Sequence, residues 1–282
     1  MIRTSSKIII AKIIYKILYF LGLHRLSLVK RRNIVWKLDL SEGIDLSIFL
    51  FGSFQGEIIN AIIKVVNTCL NKKKNIFILD VGSNIGDKSL SLASRLKTLG
   101  VNKFKIFSFE PTDFAYKKQI QNINLNPKLK KKISLFKYFI SKSRWKPNNI
   151  YSSWKLYGDL KTHKVHRGNL KNINSSTKVI SLDNFLKRKK ISGQIIIKID
   201  VDGFEMNVLE SCKDSLKYKD IIIFMEYAPY ALKESGSSKK KFLNFIKKYN
   251  YSIYDLNLKR INKIDEKYGA STEIVLMKKK FS

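Results

Sequence analysis

The stretch Ile76-Phe77-Ile78-Leu79-Asp80-Val81-Gly82-Ser83-Asn84-Ile85-Gly86-Asp87-Lys88-Ser89 decides the fold. Residues 76–80 form an apolar run that ends in a carboxylate, as a buried strand does. Gly82 permits a tight turn and close approach of a ligand to the backbone. Gly86 stands before a helical pattern at 88–99 and lets that helix pack near the strand. The free N–H groups of such a helix start face a ligand at the strand end. The spacing is D-x-G-x-x-x-G, not the G-x-G-x-x-G of a dinucleotide loop, and no GK[ST] follows. Walker-type phosphate binding is therefore excluded, and a dinucleotide pyrophosphate is disfavoured. An acidic loop with few glycines suits a cationic ligand without phosphates. S-adenosylmethionine, with its ammonium and sulfonium, is such a ligand.

Outward from this loop, short apolar runs alternate with amphipathic stretches. Strands are expected at 76–80, 105–109, 133–139, 195–200, 221–226, 251–255 and 273–277. Helices are expected at 57–70, 88–99, 114–124, 182–190, 205–216 and 239–248. This order predicts an α/β fold, a mostly parallel sheet with helices on both faces. Only residues 256–272 join the last two strands, so one of them is expected to run antiparallel. The polar, basic and aromatic segment 143–176 shows no period and reads as a long insertion.

Two further blocks carry ionisable groups at strand ends. Phe107-Ser-Phe-Glu110-Pro111 puts a carboxylate where a ribose is held in open α/β sheets. In Ile195-Ile-Ile-Lys198-Ile-Asp200-Val-Asp202-Gly203-Phe-Glu205, the residues Lys198, Asp200 and Asp202 alternate, so a strand would place them on one face. Glu226 ends the next apolar run and belongs to the same rim.

Taken together, the chain resembles the FkbM-like methyltransferases that use S-adenosylmethionine. The matching blocks are DVGSNIGDKSL at 80–90, FSFEP at 107–111, SLDNFL at 181–186 and IKIDVDGFEMNVLE at 197–210. The resemblance implies a class I, Rossmann-like fold with seven strands, one antiparallel, and methyl transfer to a hydroxyl of a sugar or natural product. It implies that Asp80, Gly82, Ser83, Asn84 and Gly86 line the methionine end of the cofactor. Glu110 and Pro111 would hold the ribose, and Ile140 and Ser141 would reach the adenine. Asp200, Glu226 and Lys198 are the catalytic candidates: a carboxylate as general base and a lysine to orient it or the acceptor oxygen. Asp202 completes the ring of acids. Ser83 stands where the family commonly has Ala, and Asp202 where it commonly has Glu. His163 and His166 are further candidate bases. Glu57 could reach the cofactor's ammonium or serve as a helix N-terminal charge. Asp200 and Asp202 would suit magnesium, although the sequence requires no metal.

The chain has 282 residues, 44% of them hydrophobic and 12% aromatic, which is a folding composition. Two regions are expected: an N-terminal helical extension at 1–56, and a cofactor-binding domain at 57–282. With 55 Lys+Arg against 22 Asp+Glu the net charge is +33. Such charge fits a polyanion partner, or an Ile-, Lys- and Asn-rich composition in which Lys far outnumbers Arg. Residues 8–23 alternate apolar runs with Lys12 and Lys16, too short a run to span a bilayer. They read as an amphipathic helix for an anionic membrane surface, continued by Lys30, Arg31 and Arg32, or as an accessory helix packed on the core. Cys69 and Cys212 form no metal or redox motif, which fits a reducing cytoplasm. The acceptor is expected to be a small molecule or a glycan, including a glycolipid. The aromatics Trp145, Tyr151, Trp154 and Tyr157 could stack on sugar faces or pack the insertion on the core. The alternatives are an RNA ribose 2′-O-methyltransferase, kept open by Lys198 and Asp200, and a catalytically silent binding protein. Nucleic acid is otherwise disfavoured, because DVDG replaces the Pro-Pro-aromatic run of base-amine enzymes.

Overall fold

The computed structural model describes residues 4–23, 26–68, 75–152, 154–157, 168–264 and 271–278. Seven strands form the central sheet: β1 (Ile76–Val81), β2 (Phe104–Phe109), β3 (Ile133–Phe136), β4 (Gln194–Ile199), β5 (Ile221–Tyr227), β6 (Tyr251–Tyr254) and β7 (Thr272–Lys278). Their order is β6-β7-β5-β4-β1-β2-β3. β1 to β5 pair in parallel, and β7 runs antiparallel to both β5 and β6. The chain starts at the centre, winds to one edge, then returns beside β1 with β4. The order therefore reverses between β1 and β4, which is where open α/β sheets bind ligands.

Period-2 alternation explains the two cores. Ile76 and Ile78 of β1, with Ile196 of β4 and Phe224 of β5, join one cluster. Leu79 and Val81, with Ile195, Ile197 and Ile199, join the other. Both faces of the sheet are covered, so the strands read as continuous apolar runs rather than alternating ones. On the first face lie α1 (Thr4–Phe20), α2 (Gly43–Phe51), α3 (Gly56–Thr68) and α4 (Asp87–Thr98). On the second lie the helices Leu182–Arg188, Glu205–Ser211 and Lys239–Lys248.

The expected run 133–139 is two strands: β3 ends at Phe136, and Tyr138–Ile140 leaves the sheet to pair with Lys178–Ile180. The expected helix 205–216 breaks at Cys212 and restarts at Lys213–Tyr218. The break has a partner in the SLDNFL block. Ser181 accepts from the N–H of Asn184, and the Asp183 carboxylate accepts from the N–H groups of Asp214 and Ser215, so this block caps two helices at once.

The N-terminal segment is not wholly helical. Leu26–Arg31 and Ile34–Asp39 form an antiparallel hairpin around Arg32 and Asn33, both left-handed. A two-residue turn with positive φ at both positions matches the twist of the strands it joins. Ile34, Trp36 and Leu38 are buried in the same core as β1. Asn122 and Asn126 accept from the N–H groups of Lys37 and Val35 and so satisfy the hairpin's free edge. The segment 143–176 also holds a hairpin, Asn149–Ser152 with Asn169–Asn172.

Candidate active site

The alternation that fills the cores also sorts the polar groups. Asp80, Lys198, Glu226 and Glu273 follow the same face as Ile78, Ile196, Phe224 and Val275, and all sit at one rim of the sheet. Lys198 pairs in register with Asp80, and Glu226 with Glu273. A cavity of about 670 Å3 opens over this rim.

Gly82, at φ +77°, turns the chain out of β1. A Cβ there would lie 1.8 Å from the carbonyl oxygen of Asp200. The close approach that demands glycine is thus to the β4 loop, not to a ligand. Gly86, at φ +90°, caps α4 beneath the side chain of Gln119. Gln119 donates to Ser83 Oγ at 2.7 Å and Ser108 Oγ at 2.6 Å, which gives the hydroxyl of Ser83 a use that alanine would lack. Asn84 lies in the left-handed region and directs its N–H to Glu110 Oε2 at 2.9 Å. Glu110 Oε1 accepts from the N–H of Thr112 at 2.9 Å and from its hydroxyl at 2.5 Å. Burial pushes the Glu110 carboxyl up, against the pull of these donors.

Lys198 is buried, with its ammonium 3.1 Å from Asp200, 3.5 Å from Asp80 and 3.2 Å from the Gly82 carbonyl. Burial alone would lower its pKa, but Asp200 and Asp80 outweigh burial and raise it. Ser89 anchors the other side of Asp80 at 2.6 Å. Burial, then the charge of Asp200, raises Glu226 to about 7 and Glu273 to about 8. Burial, then Asp200 and Glu226, carries Asp202 well above the usual carboxylate range. Glu205, raised by burial to about 7, turns one oxygen to the N–H of Gly203.

Of the residues expected from sequence, Gly82, Ser83, Asn84, Glu110, Pro111, Ile140, Lys198, Asp200, Asp202 and Glu226 line the cavity. Asp80, Gly86 and Ser141 do not. Asp80 is locked behind the loop by Ser89 and Lys198, so its place is to position Lys198. Ser141 is buried and donates its N–H to the carbonyl of Ile180. Glu57 is exposed in the first turn of α3, at the cavity wall. His163 and His166 lie outside the described residues.

Sequence reasoning missed two groups. Glu273 opens β7 and reaches the rim because β7 is antiparallel. Lys88, buried, pairs with Asp87 at 2.9 Å and donates to the Phe54 carbonyl at 2.6 Å, fixing the cavity wall. The insertion, whose aromatics the sequence singled out, supplies a roof: Ser152 and Trp154 cover the glycine loop, and Asn84 donates to Ser152 Oγ at 3.4 Å. The roof is tied to the N-terminal segment, where Gly43 donates to the Trp154 carbonyl and Leu156 to that of Ser41. Trp154 meets Phe54 edge to face and Tyr157 stacks on Tyr15, whereas Trp145 is exposed.

The acids also form a cation site by geometry. Asp200, Asp202 and Glu226 each offer a carboxylate oxygen, all within 4.8 Å of one another. Such an oxygen-only set suits a hard divalent cation. The same negative rim, beside the glycine loop and the Glu110 carboxylate at the end of β2, fits a molecule that joins a nucleoside to a cationic sulfonium.

The family model for the methyltransferase FkbM domain matches residues 80–253. No curated protein matches the chain. Among solved structures, it is similar to human methyltransferase 10 domain containing protein, at 11% identity and a TM-score of 0.45, over 87% of this chain and 88% of that one. It is similar to the N-terminal domain of EvdMO1, solved in the presence of SAH and D-fucose, at 8% identity and a TM-score of 0.42, over 79% and 82%. It is also similar to magnesium protoporphyrin IX methyltransferase from Synechocystis PCC 6803 with bound SAM, at 8% identity and a TM-score of 0.41, over 78% and 77%.

Proposed function

We propose that this chain, which belongs to the FkbM methyltransferase family, is an O-methyltransferase whose acceptor is a hydroxyl of a sugar, glycan or glycolipid. One observation carries the reading. Lys198 pairs with both Asp80 and Asp200, while Glu226 faces the cavity with its pKa raised to about 7. A hydroxyl acceptor needs a base poised near the working pH, and Glu226 has that property.

S-adenosylmethionine, when bound, supplies an electrophilic methyl group on sulfur for in-line transfer to an acceptor oxygen. Glu110 and the loop at Gly82, Ser83 and Asn84 would hold its nucleoside and methionine ends. Asp200 directs its carboxylate at Lys198 and helps fix the negative rim. Glu226 takes the acceptor's hydroxyl proton, and the apolar and aromatic walls (Trp154, Phe139, Phe204) exclude water and offer ring faces to a sugar.

The test is a pH profile. Glu226 works as a base only when ionised, so turnover is expected to rise with pH up to about 7 and level off above it. Below the bend, log kcat gains about one unit per pH unit. A profile flat from about pH 5.5 to about pH 8.5 would remove Glu226 from this role.

A second reading rests on the spacing of the Asp200, Asp202 and Glu226 oxygens. A divalent cation there would lower the pKa of the acceptor hydroxyl directly. The same assay separates the two. EDTA abolishes turnover, with rescue by magnesium, under the second reading, and leaves both turnover and the acid limb intact under the first.

A further inference from the structure

α1 carries two apolar faces, with the exposed Lys12 and Lys16 beside the outer one. Its inner face packs Ala11, Ile14, Tyr15 and Leu18 on the core. Its outer face exposes Ile9, Ile13 and Ile17, each more than half accessible, and its last residue Phe20 and the following Leu21 are exposed as well. α2 packs beside α1 and ends in Phe51, which is 67% exposed. The chain has no acidic residue before Asp39, and nine basic ones. Lys12, Lys16, Lys30 and Arg32 are exposed around the apolar face. Arg32 donates to the carbonyl of Phe51 and Arg31 to that of Phe49, which brings two guanidinium groups to the end of α2.

The cavity reaches this surface. Ile8, Ile10, Ala11 and Ile14 of α1 and Leu50 and Phe51 of α2 line it, together with Lys198, Asp200 and Glu226 at its floor. Ile10 and Phe51 are both exposed and cavity-lining, so they stand at its mouth.

We infer that α1 and the end of α2 seat this protein on an anionic membrane surface, with the mouth of the cavity facing the lipid. An apolar stripe rimmed by lysine and arginine matches an interface of acyl chains and negative headgroups. A second copy of the chain fits poorly, because a two-fold contact would set Lys12 and Lys16 against their own copies with no acid between them. Among the described residues no single helix is long and apolar enough to cross a membrane, so α1 lies in the interface plane. The acceptor then arrives from the membrane as an amphiphile whose headgroup carries the hydroxyl. The docking surface stands apart from the proposed function, and the acceptor class rests on it.

The test is flotation of the full chain with phosphatidylcholine vesicles, with and without about 30% phosphatidylglycerol. Binding is expected only to the anionic vesicles and to weaken as salt rises from about 0.1 M to about 0.5 M. Ile13→Asp/Ile17→Asp, outside the cavity lining, is expected to cut partition at least about tenfold while S-adenosylmethionine affinity stays unchanged. Lys239→Glu/Lys240→Glu, on the opposite face of the sheet, is expected to bind vesicles as the wild type does. Absence of binding by the wild type overturns the inference. So does equal loss in both variants, which would mean diffuse charge, and so does a dimer that Ile13→Asp/Ile17→Asp dissociates without any vesicle binding. Loss of cofactor binding by the wild type would sink the proposed function and leave the flotation result standing.

Discussion

Glu226→Gln is expected to bind S-adenosylmethionine within about twofold of the wild type and to lose roughly 100- to 1,000-fold in kcat. The amide keeps the shape of the side chain and cannot accept a proton. The neighbouring acids replace it only in part. Asp200 is tied to Lys198 at 3.1 Å, and Glu205 is outside the cavity with one oxygen bound to the N–H of Gly203. Glu273 faces Glu226 across the β5–β7 pair and is raised to about 8. In the Glu226→Gln variant Glu273 loses a like-charged neighbour, so it should ionise more readily and leave a residual rate. Single-turnover kinetics at about pH 7.5 check this. A loss below about fivefold would place the base elsewhere, in the insertion or on a bound cation.

Lys198→Met has the largest expected effect on stability, about 3–5 kcal/mol of destabilisation. Methionine nearly matches the stem of lysine, so packing changes little. The cost comes from the two carboxylates left behind. Asp80 is fully buried, and Lys198 is its only cationic neighbour among the described residues. Its second oxygen is held by Ser89. Adding Asp80→Asn removes one stranded charge and is expected to recover at least about 1 kcal/mol. Urea unfolding of the four proteins in the cycle measures both numbers. Additive losses would show that Lys198 and Asp80 do not act as a pair.

Much of this site was legible because strand ends in an open α/β sheet share one rim. Asp80, Glu110, Asp200 and Glu226 each close an apolar run, so their common edge follows from the run lengths alone. Glu273 was not legible on those terms. It begins its strand, and it joins the rim only because β7 inserts antiparallel between β5 and β6. The reason for Gly82 was also hidden, since the atom that excludes a Cβ is the carbonyl of Asp200, far along the chain. The N-terminal hairpin escaped notice because its turn is Arg32-Asn33, without the Gly that usually marks left-handed residues. Its edge is completed by Asn122 and Asn126, side chains no local pattern connects to it. Trp154 was recognisable as an aromatic in a basic insertion, but only the pairing of 149–152 with 169–172 and the bonds to Ser41 and Gly43 bring it over the glycine loop.

The rim of β1, β2 and β4 is expected to hold S-adenosylmethionine, and calorimetric titration of the purified full chain tests this most directly. Micromolar binding by the wild type is predicted. Glu110→Gln keeps the shape of the residue but surrenders its charge-assisted bonds, so it is predicted to bind about 10- to 100-fold more weakly. No binding by the folded wild type, or equal affinity in Glu110→Gln, would contradict it.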